Sequence, residues 1–193
     1  KSQAVISHIR QANVGSICLE NTHPFIRELS GLYWCFAHNG QLNSFRDIQT
    51  KRFQPVGSTD SEHVFCWLMD AIAEDCKEPL DFQCLADLLH KRCSMLRERG
   101  VFNMLLSNSH FLFAYCGSKL HWITRQAPFG KAALADDEMT IDFAEHTTPD
   151  DRVSVIATAP LTRDEVWHTM EEGELLVFRD GEVVADLKAA EIP

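Results

Sequence analysis

The spacing of apolar residues changes along this chain between that of helices and that of strands, and the order of these segments restricts the folds that it can adopt. Two stretches, one starting at 58–62 and one over about 83–98, repeat apolar residues at helical spacing. Before and after them lie short segments typical of strands, with tight connections such as Asp180-Gly181. Helices between groups of short strands favour an α+β fold with mainly antiparallel sheets and helices covering sheet. Without an internal repeat or linker, a single domain over residues 1–193 is the simplest interpretation.

The boundaries of these elements can be predicted from local signals. The first helix has Ser58 or Thr59 as its N-cap, and Thr59 with Glu62 has the spacing of a capping box. The second helix ends before Gly100. Residues 13–31 and 43–57 are expected to be loop-like or irregular, and a short helix is expected after Thr162. The predicted strands are 4–10, 32–38, 101–107, 111–116, 120–125, 139–143, 153–158, 175–178 and 183–185.

Composition excludes several classes of protein. The net charge of −10 argues against a nucleic-acid-binding surface, and no apolar run is long enough to span a bilayer. Seven cysteines without CxxC spacing favour buried thiols in a reducing cytoplasm over a disulfide framework. The spacing of His8, His23 and His38 matches no metal motif, so we expect them to form structural hydrogen bonds, with no metal and no cofactor. We therefore predict a cytoplasmic protein.

Three polar features follow predicted strands or begin a helix. Arg10, at the end of a strand, could hold a carboxylate through two hydrogen bonds or form a surface ion pair. Asp60 could receive an ammonium group or complement the helix dipole. Asn39-Gly40 could form a hairpin turn, or supply a side-chain amide and a backbone N–H to an oxyanion. Together they would suit an α-amino acid with a reactive side-chain carbonyl, and glutamine fits well.

Ordered motifs along nearly the whole chain resemble the class II glutamine amidotransferases, which are N-terminal-nucleophile hydrolases, and within them the stand-alone YafJ-like type. The motifs are His8-Ile9-Arg10, Asn21-Thr22-His23-Pro24-Phe25, Ala37-His38-Asn39-Gly40, Thr59-Asp60-Ser61-Glu62, Gly100-Val101-Phe102-Asn103, Leu120-His121-Trp122-Ile123-Thr124-Arg125, Ala127-Pro128-Phe129-Gly130, Thr147-Thr148-Pro149-Asp150 and Ile156-Ala157-Thr158-Ala159-Pro160-Leu161-Thr162.

The resemblance implies a four-layer αββα sandwich and a division of roles. Arg10 would bind the α-carboxylate of glutamine and Asp60 its α-ammonium, with Asn13 in support. The Asn39 side chain and the Gly40 N–H would form the oxyanion hole. A cysteine thiolate would attack the glutamine amide and release ammonia, and the thioester would be hydrolysed to glutamate. The resemblance thus implies a glutaminase or amidotransferase, or a relative that cleaves a γ-glutamyl amide.

The chain departs from this family at its start. The family nucleophile is a cysteine at the mature N-terminus, whose α-amino group acts as the general base. Residue 1 here is Lys, and Cys18 cannot supply an N-terminal amine. We expect that the N-terminal part lies outside this sequence. The alternative is a non-catalytic module that binds glutamine or a γ-glutamyl compound and acts with a partner protein. An ammonia-accepting partner subunit and plain hydrolysis are both open.

Overall fold

The computed structural model describes residues 3–9, 18–77 and 80–189. It contains two α-helices and eleven strands within those residues. The helices are α1 (Asp60–Asp75) and α2 (Phe82–Arg97). The strands are β1 (Phe25–Leu29), β2 (Leu32–Leu42), β3 (Gly100–Ser107), β4 (Leu112–Tyr115), β5 (His121–Gln126), β6 (Lys131–Ala133), β7 (Thr140–Asp142), β8 (Arg152–Ala157), β9 (His168–Thr169), β10 (Leu175–Arg179) and β11 (Glu182–Leu187).

The strands form two main sheets and a small ribbon, all antiparallel. The larger sheet has six strands in the order β1-β2-β3-β4-β10-β11, and the second has the order β8-β5-β9. The ribbon pairs β6 with β7. The α+β class with two mainly antiparallel sheets is therefore confirmed.

Successive side chains of a strand point to opposite faces of the sheet, and this divides the core into two layers. Phe113 and Tyr115 of β4 face the cluster that contains α1 and α2. Ala114 and Cys116, which point to the other side, join a smaller cluster against Trp122 and the second sheet. Because both of its faces are covered, the six-stranded sheet contains strands such as β10 that are buried at successive residues. The layers run helix pair, six-stranded sheet, three-stranded sheet.

The irregular stretch between β2 and α1 is anchored through its backbone. Apart from a short 3-10 turn at Phe45–Asp47 it has no regular structure, in agreement with the prediction for 43–57. Asp70 of α1 accepts hydrogen bonds from the backbone N–H groups of residues 51, 52 and 53 at 2.6, 2.9 and 3.0 Å. Glu62 accepts two more, from the N–H groups of residues 56 and 57. The stretch is thus attached to α1 along its length.

Several predicted boundaries are wrong. Residues 13–31 are not all loop, because β1 pairs with β2 through a two-residue turn at Ser30-Gly31, where both φ angles are positive. Residues 4–9 alternate in exposure as a strand would, but they belong to no strand that the described residues form. No helix follows Thr162. The backbone N–H of Arg163 donates to the Ala133 carbonyl, so this segment lies beside β6.

The cysteines also differ from expectation. Cys76, at the end of α1, and Cys84, in the first turn of α2, form a disulfide with their Cα atoms 6.0 Å apart. The expectation of thiols is wrong for this pair, because the end of α1 lies beside the first turn of α2, where Cys84 Sγ also lies 3.7 Å from the Asp75 carbonyl oxygen. Cys35, Cys66, Cys93 and Cys116 are free thiols, and burial raises the pKa of the Cys66 thiol to about 11.

Candidate functional site

The residues predicted to bind an oxyanion lie inside a strand. Asn39 and Gly40 belong to β2, opposite Asn103 and Phe102 of β3, so the predicted turn at the end of a strand is wrong. Gly40 has a φ of 148°, and a Cβ built there would lie 1.9 Å from the Val101 carbonyl oxygen. Because Gly40 has no side chain, β2 can approach β3 closely at this position of the ladder.

His38 supports this close approach from the buried side of the strand. Its Nε2 lies 3.1 Å from the Val101 carbonyl oxygen, and its Nδ1 lies 2.9 Å from the Ser61 hydroxyl. A carbonyl can only accept, so Nε2 carries the proton and the Ser61 hydroxyl donates to Nδ1 of the neutral ring. Burial lowers the pKa of His38 and favours that neutral form, although the Val101 carbonyl and Asp60 act in the opposite direction. The prediction of a structural hydrogen-bonding role is confirmed for this histidine.

Asp60 is held beside the same strand. It is the first residue of α1, directly after the N-cap Thr59, whose side chain accepts the Glu62 N–H at 3.2 Å. One carboxylate oxygen of Asp60 accepts the backbone N–H of Leu42 at 2.8 Å, and the other accepts the N–H of Ser61. The side chain is half-buried. Each carboxylate oxygen has two lone pairs, so Asp60 can accept further hydrogen bonds from a cation.

Asn103 connects Asn39 to the loop that leads towards the second sheet. Its Oδ1 accepts the backbone N–H groups of residues 117, 118 and 119, each at 3.1 Å. Its Nδ2 donates to the Asn39 carbonyl oxygen at 3.2 Å and to the Ser118 hydroxyl at 3.0 Å. Asn103 is 3% exposed, whereas Asn39 is exposed. A buried amide thus binds the backbone carbonyl of an exposed asparagine.

The structure brings together three of the five predicted site residues. Asn39, Gly40 and Asp60 share one region at the end of β2, joined through Leu42. Arg10 and Asn13 lie outside the described residues. Sequence reasoning missed Ser61 and Asn103, which contact the predicted site residues. Both residues stand in motifs that carry the family resemblance, Thr59-Asp60-Ser61-Glu62 and Gly100-Val101-Phe102-Asn103, but those motifs assigned no role to either residue.

Within the described residues, no three His, Cys, Asp or Glu side chains cluster in a way that could hold a metal ion. The rings of His8 and His23 stack with centroids 4.1 Å apart. Neither of the helices described above combines the length and the hydropathy required to cross a bilayer.

Comparison with known proteins gives a consistent result. The profile of the class II glutamine amidotransferases matches residues 1–192. YafJ of Escherichia coli K12, a candidate glutamine amidotransferase by its name, is 49% identical over 185 residues, which are 95% of this chain and 72% of that protein. A crystal structure of a predicted glutamine amidotransferase from Pseudomonas aeruginosa superposes with a TM-score of 0.81 at 52% identity, covering 92% of this chain and 70% of the other. The glutamine phosphoribosylpyrophosphate amidotransferase of Bacillus subtilis, 16% identical with a TM-score of 0.57, shares the fold over 96% of this chain and 34% of its own.

Proposed function

This chain belongs to the class II glutamine amidotransferases, and on that premise we propose that it binds glutamine, or a γ-glutamyl compound, and hydrolyses the side-chain amide. The nucleophile in this proposal is a cysteine at the mature N-terminus of the full-length protein, outside the 193 residues of this chain. The ammonia released is either transferred to an acceptor or lost to water.

The reaction divides into two steps with a covalent intermediate. The α-amino group of the cysteine takes the thiol proton, and the thiolate sulfur attacks the amide carbon, whose oxygen becomes an oxyanion. The Asn39 side-chain amide and the Gly40 N–H stabilise that oxyanion. The amine leaves as ammonia with the proton from the α-amino group, and a thioester forms. Water then attacks the thioester, which yields glutamate and restores the thiol.

The backbone end of the substrate is bound by charge. Arg10 receives the α-carboxylate in a two-pronged hydrogen bond, and Asn13 supports it. Asp60 receives the α-ammonium group. The carboxylate of Asp60 already accepts the Leu42 N–H on one side, so its position relative to β2 is set before the substrate arrives. Such preorganisation lowers the entropic penalty of binding.

One contact carries the proposal: the 2.8 Å hydrogen bond between the Leu42 N–H and Asp60. It joins the residue proposed to bind the ammonium group to the strand proposed to bind the oxyanion, two residues after Gly40. Ammonium and oxyanion binders must be held at a set separation if one substrate is to contact both.

The test uses the full-length protein. We expect it to release ammonia and glutamate from glutamine, and to lose this activity after treatment with a thiol-alkylating reagent. Intact mass should show a single alkylation at an N-terminal cysteine. Tight binding of glutamine without release of glutamate would overturn the proposal in favour of a binding module. Turnover that survives alkylation of the N-terminal cysteine would overturn the thioester mechanism.

A further inference from the structure

Asn103 is buried and lies directly opposite Asn39, the proposed oxyanion donor, in the ladder between β2 and β3. We infer that Asn103 is a positioning residue that fixes which end of the Asn39 side-chain amide faces the substrate. The inference rests on the proposed function, because it concerns the oxyanion hole of that reaction. Asn103 itself touches no reacting atom.

The orientation of Asn103 is set by three backbone N–H groups. Residues 117, 118 and 119 all present N–H donors at 3.1 Å to one end of its amide, and only an oxygen can accept them. The NH₂ group must therefore lie at the other end, towards β2. The site is tightly built, since a Cβ at Gly117 would lie 2.2 Å from the Phe102 carbonyl oxygen.

The orientation of Asn39 follows from that of Asn103. The Asn103 NH₂ group donates to the Asn39 carbonyl oxygen at 3.2 Å and makes a longer contact, 3.5 Å, with the Asn39 side-chain oxygen. A donor at this place favours the rotamer in which the oxygen of the Asn39 amide points back to β3. The NH₂ group of Asn39 then points away from β3 and can donate to an oxyanion.

An aspartate at position 103 separates this role from that of loop anchor. In Asn103→Asp one carboxylate oxygen still accepts the three N–H groups of residues 117–119. The other oxygen replaces the NH₂ group, repels the oxygen of Asn39 and attracts its NH₂ group, which turns the donor away from the substrate. We expect kcat to fall about a hundredfold, the order found for loss of one oxyanion donor, with KM for glutamine little changed.

Asn108 provides the matched control. It is also a buried asparagine, 2% exposed, and its Oδ1 accepts the N–H groups of residues 110 and 111 in the β3–β4 turn, at the other end of β3. Asn108→Asp makes the same chemical change away from Asn39. We expect its kcat and KM to equal those of the unmodified protein.

A double variant tests whether Asn103 acts through Asn39. If it does, Asn103→Asp lowers kcat in the unmodified background but has no further effect once Asn39→Ala has removed the donor. Losses that multiply in the double variant would overturn the inference, and so would a normal kcat in Asn103→Asp. A normal kcat in Asn39→Ala would instead overturn the oxyanion hole of the proposed function, which keeps the two failures distinct.

Melting curves establish whether each variant folds. Should Asn103→Asp fail to fold, Asn103→Ser is the substitute, because a serine hydroxyl is too short to reach Asn39. We expect the same loss of kcat and the same absence of effect beside Asn39→Ala. A Ser variant with normal turnover would overturn the inference.

Discussion

Two aspartates on helix α1 accept backbone hydrogen bonds from the chain that precedes the helix, and they do so differently. Asp70 is 4% exposed and accepts three N–H groups, those of residues 51–53. Asp60 is half-buried and accepts one N–H from outside its own helix, that of Leu42. The first carboxylate is buried under the segment that it binds, whereas the second, which also accepts the Ser61 N–H, stays half-buried.

The difference separates a scaffold from a candidate site. A carboxylate surrounded by three N–H donors orders the chain that supplies them and is closed to a ligand. A carboxylate held from behind keeps lone pairs for a cation while its position stays set. Asn39 resembles the second arrangement, because it is exposed while the buried Asn103 donates to its backbone carbonyl. Variants at these positions can test whether the distinction is real.

The largest effect on stability is expected for Asp70→Ala. Three backbone N–H groups lose a charged acceptor in a buried place, which should lower the free energy of unfolding by about 4 kcal/mol. The kcat and KM of the folded fraction should not change. Urea unfolding and glutaminase assays at low denaturant measure both. A clear rise in KM would mean that the Asp70 anchor belongs to the site, and the comparison would fail.

The opposite pattern is expected for Asn39→Ala. The exposed side-chain amide contributes little to stability, so the free energy of unfolding should change by less than about 0.5 kcal/mol. Loss of an oxyanion donor should lower kcat by about a hundredfold to a thousandfold. Asn43→Ala is the control, because this exposed asparagine lies four residues further along. A drop in kcat for Asn43→Ala of the same size would contradict a specific role for Asn39.

Asp60→Asn and Asp70→Asn make the same change on one helix. In Asp60→Asn the side-chain oxygen can still accept the Leu42 N–H, but the charge that pairs with the ammonium group is lost. We expect KM for glutamine to rise about tenfold, because a hydrogen bond to a charged group contributes about 1.5–3 kcal/mol. The free energy of unfolding should fall less than in Asp70→Asn, since Asp60 accepts fewer N–H groups from outside its helix. Asp70→Asn should lower the free energy of unfolding and leave KM for glutamine unchanged. Equal KM values for the two variants would remove the functional distinction between them.

The smallest effect is a pH dependence of stability. Burial lowers the pKa of His38 below its usual 6.5, so the unfolded chain binds a proton at this residue more readily than the folded chain. The contribution of His38 to stability is complete above about pH 6.5 and is lost as the pH falls through the folded-state pKa. His38→Gln, which keeps a donor and an acceptor, should flatten this part of the curve. Urea unfolding at a series of pH values measures it, and an unchanged slope would show that other groups are responsible.

Local signals in the sequence predicted the elements whose causes are local. Thr59 caps α1 and Asp180-Gly181 forms a turn with positive φ, because each depends on a few adjacent residues. The hairpin at Ser30-Gly31 was missed because Ser-Gly is a weaker turn signal. Asn39-Gly40, a strong turn signal, lies in a strand because β3 pairs with it. Tertiary pairing overrides local preference in such cases.

The contacts around the site join residues distant in sequence. His38 meets Ser61 and Val101, 23 and 63 residues away, and Asn103 meets Asn39 across 64 residues. No periodicity or spacing predicts such contacts, so the sequence indicated the residue types required but not what holds them. The roles predicted for Arg10 and Asn13 lie outside the described residues and stay predictions.

The attachment of residues 43–59 to α1 has a practical consequence. On a diagram of secondary structure this stretch resembles an ideal place to insert a reporter, a cleavage site or an affinity tag. Yet five of its backbone N–H groups are bound by Glu62 and Asp70, and Asp60 follows it directly. An engineer who lengthens it would therefore displace the start of α1.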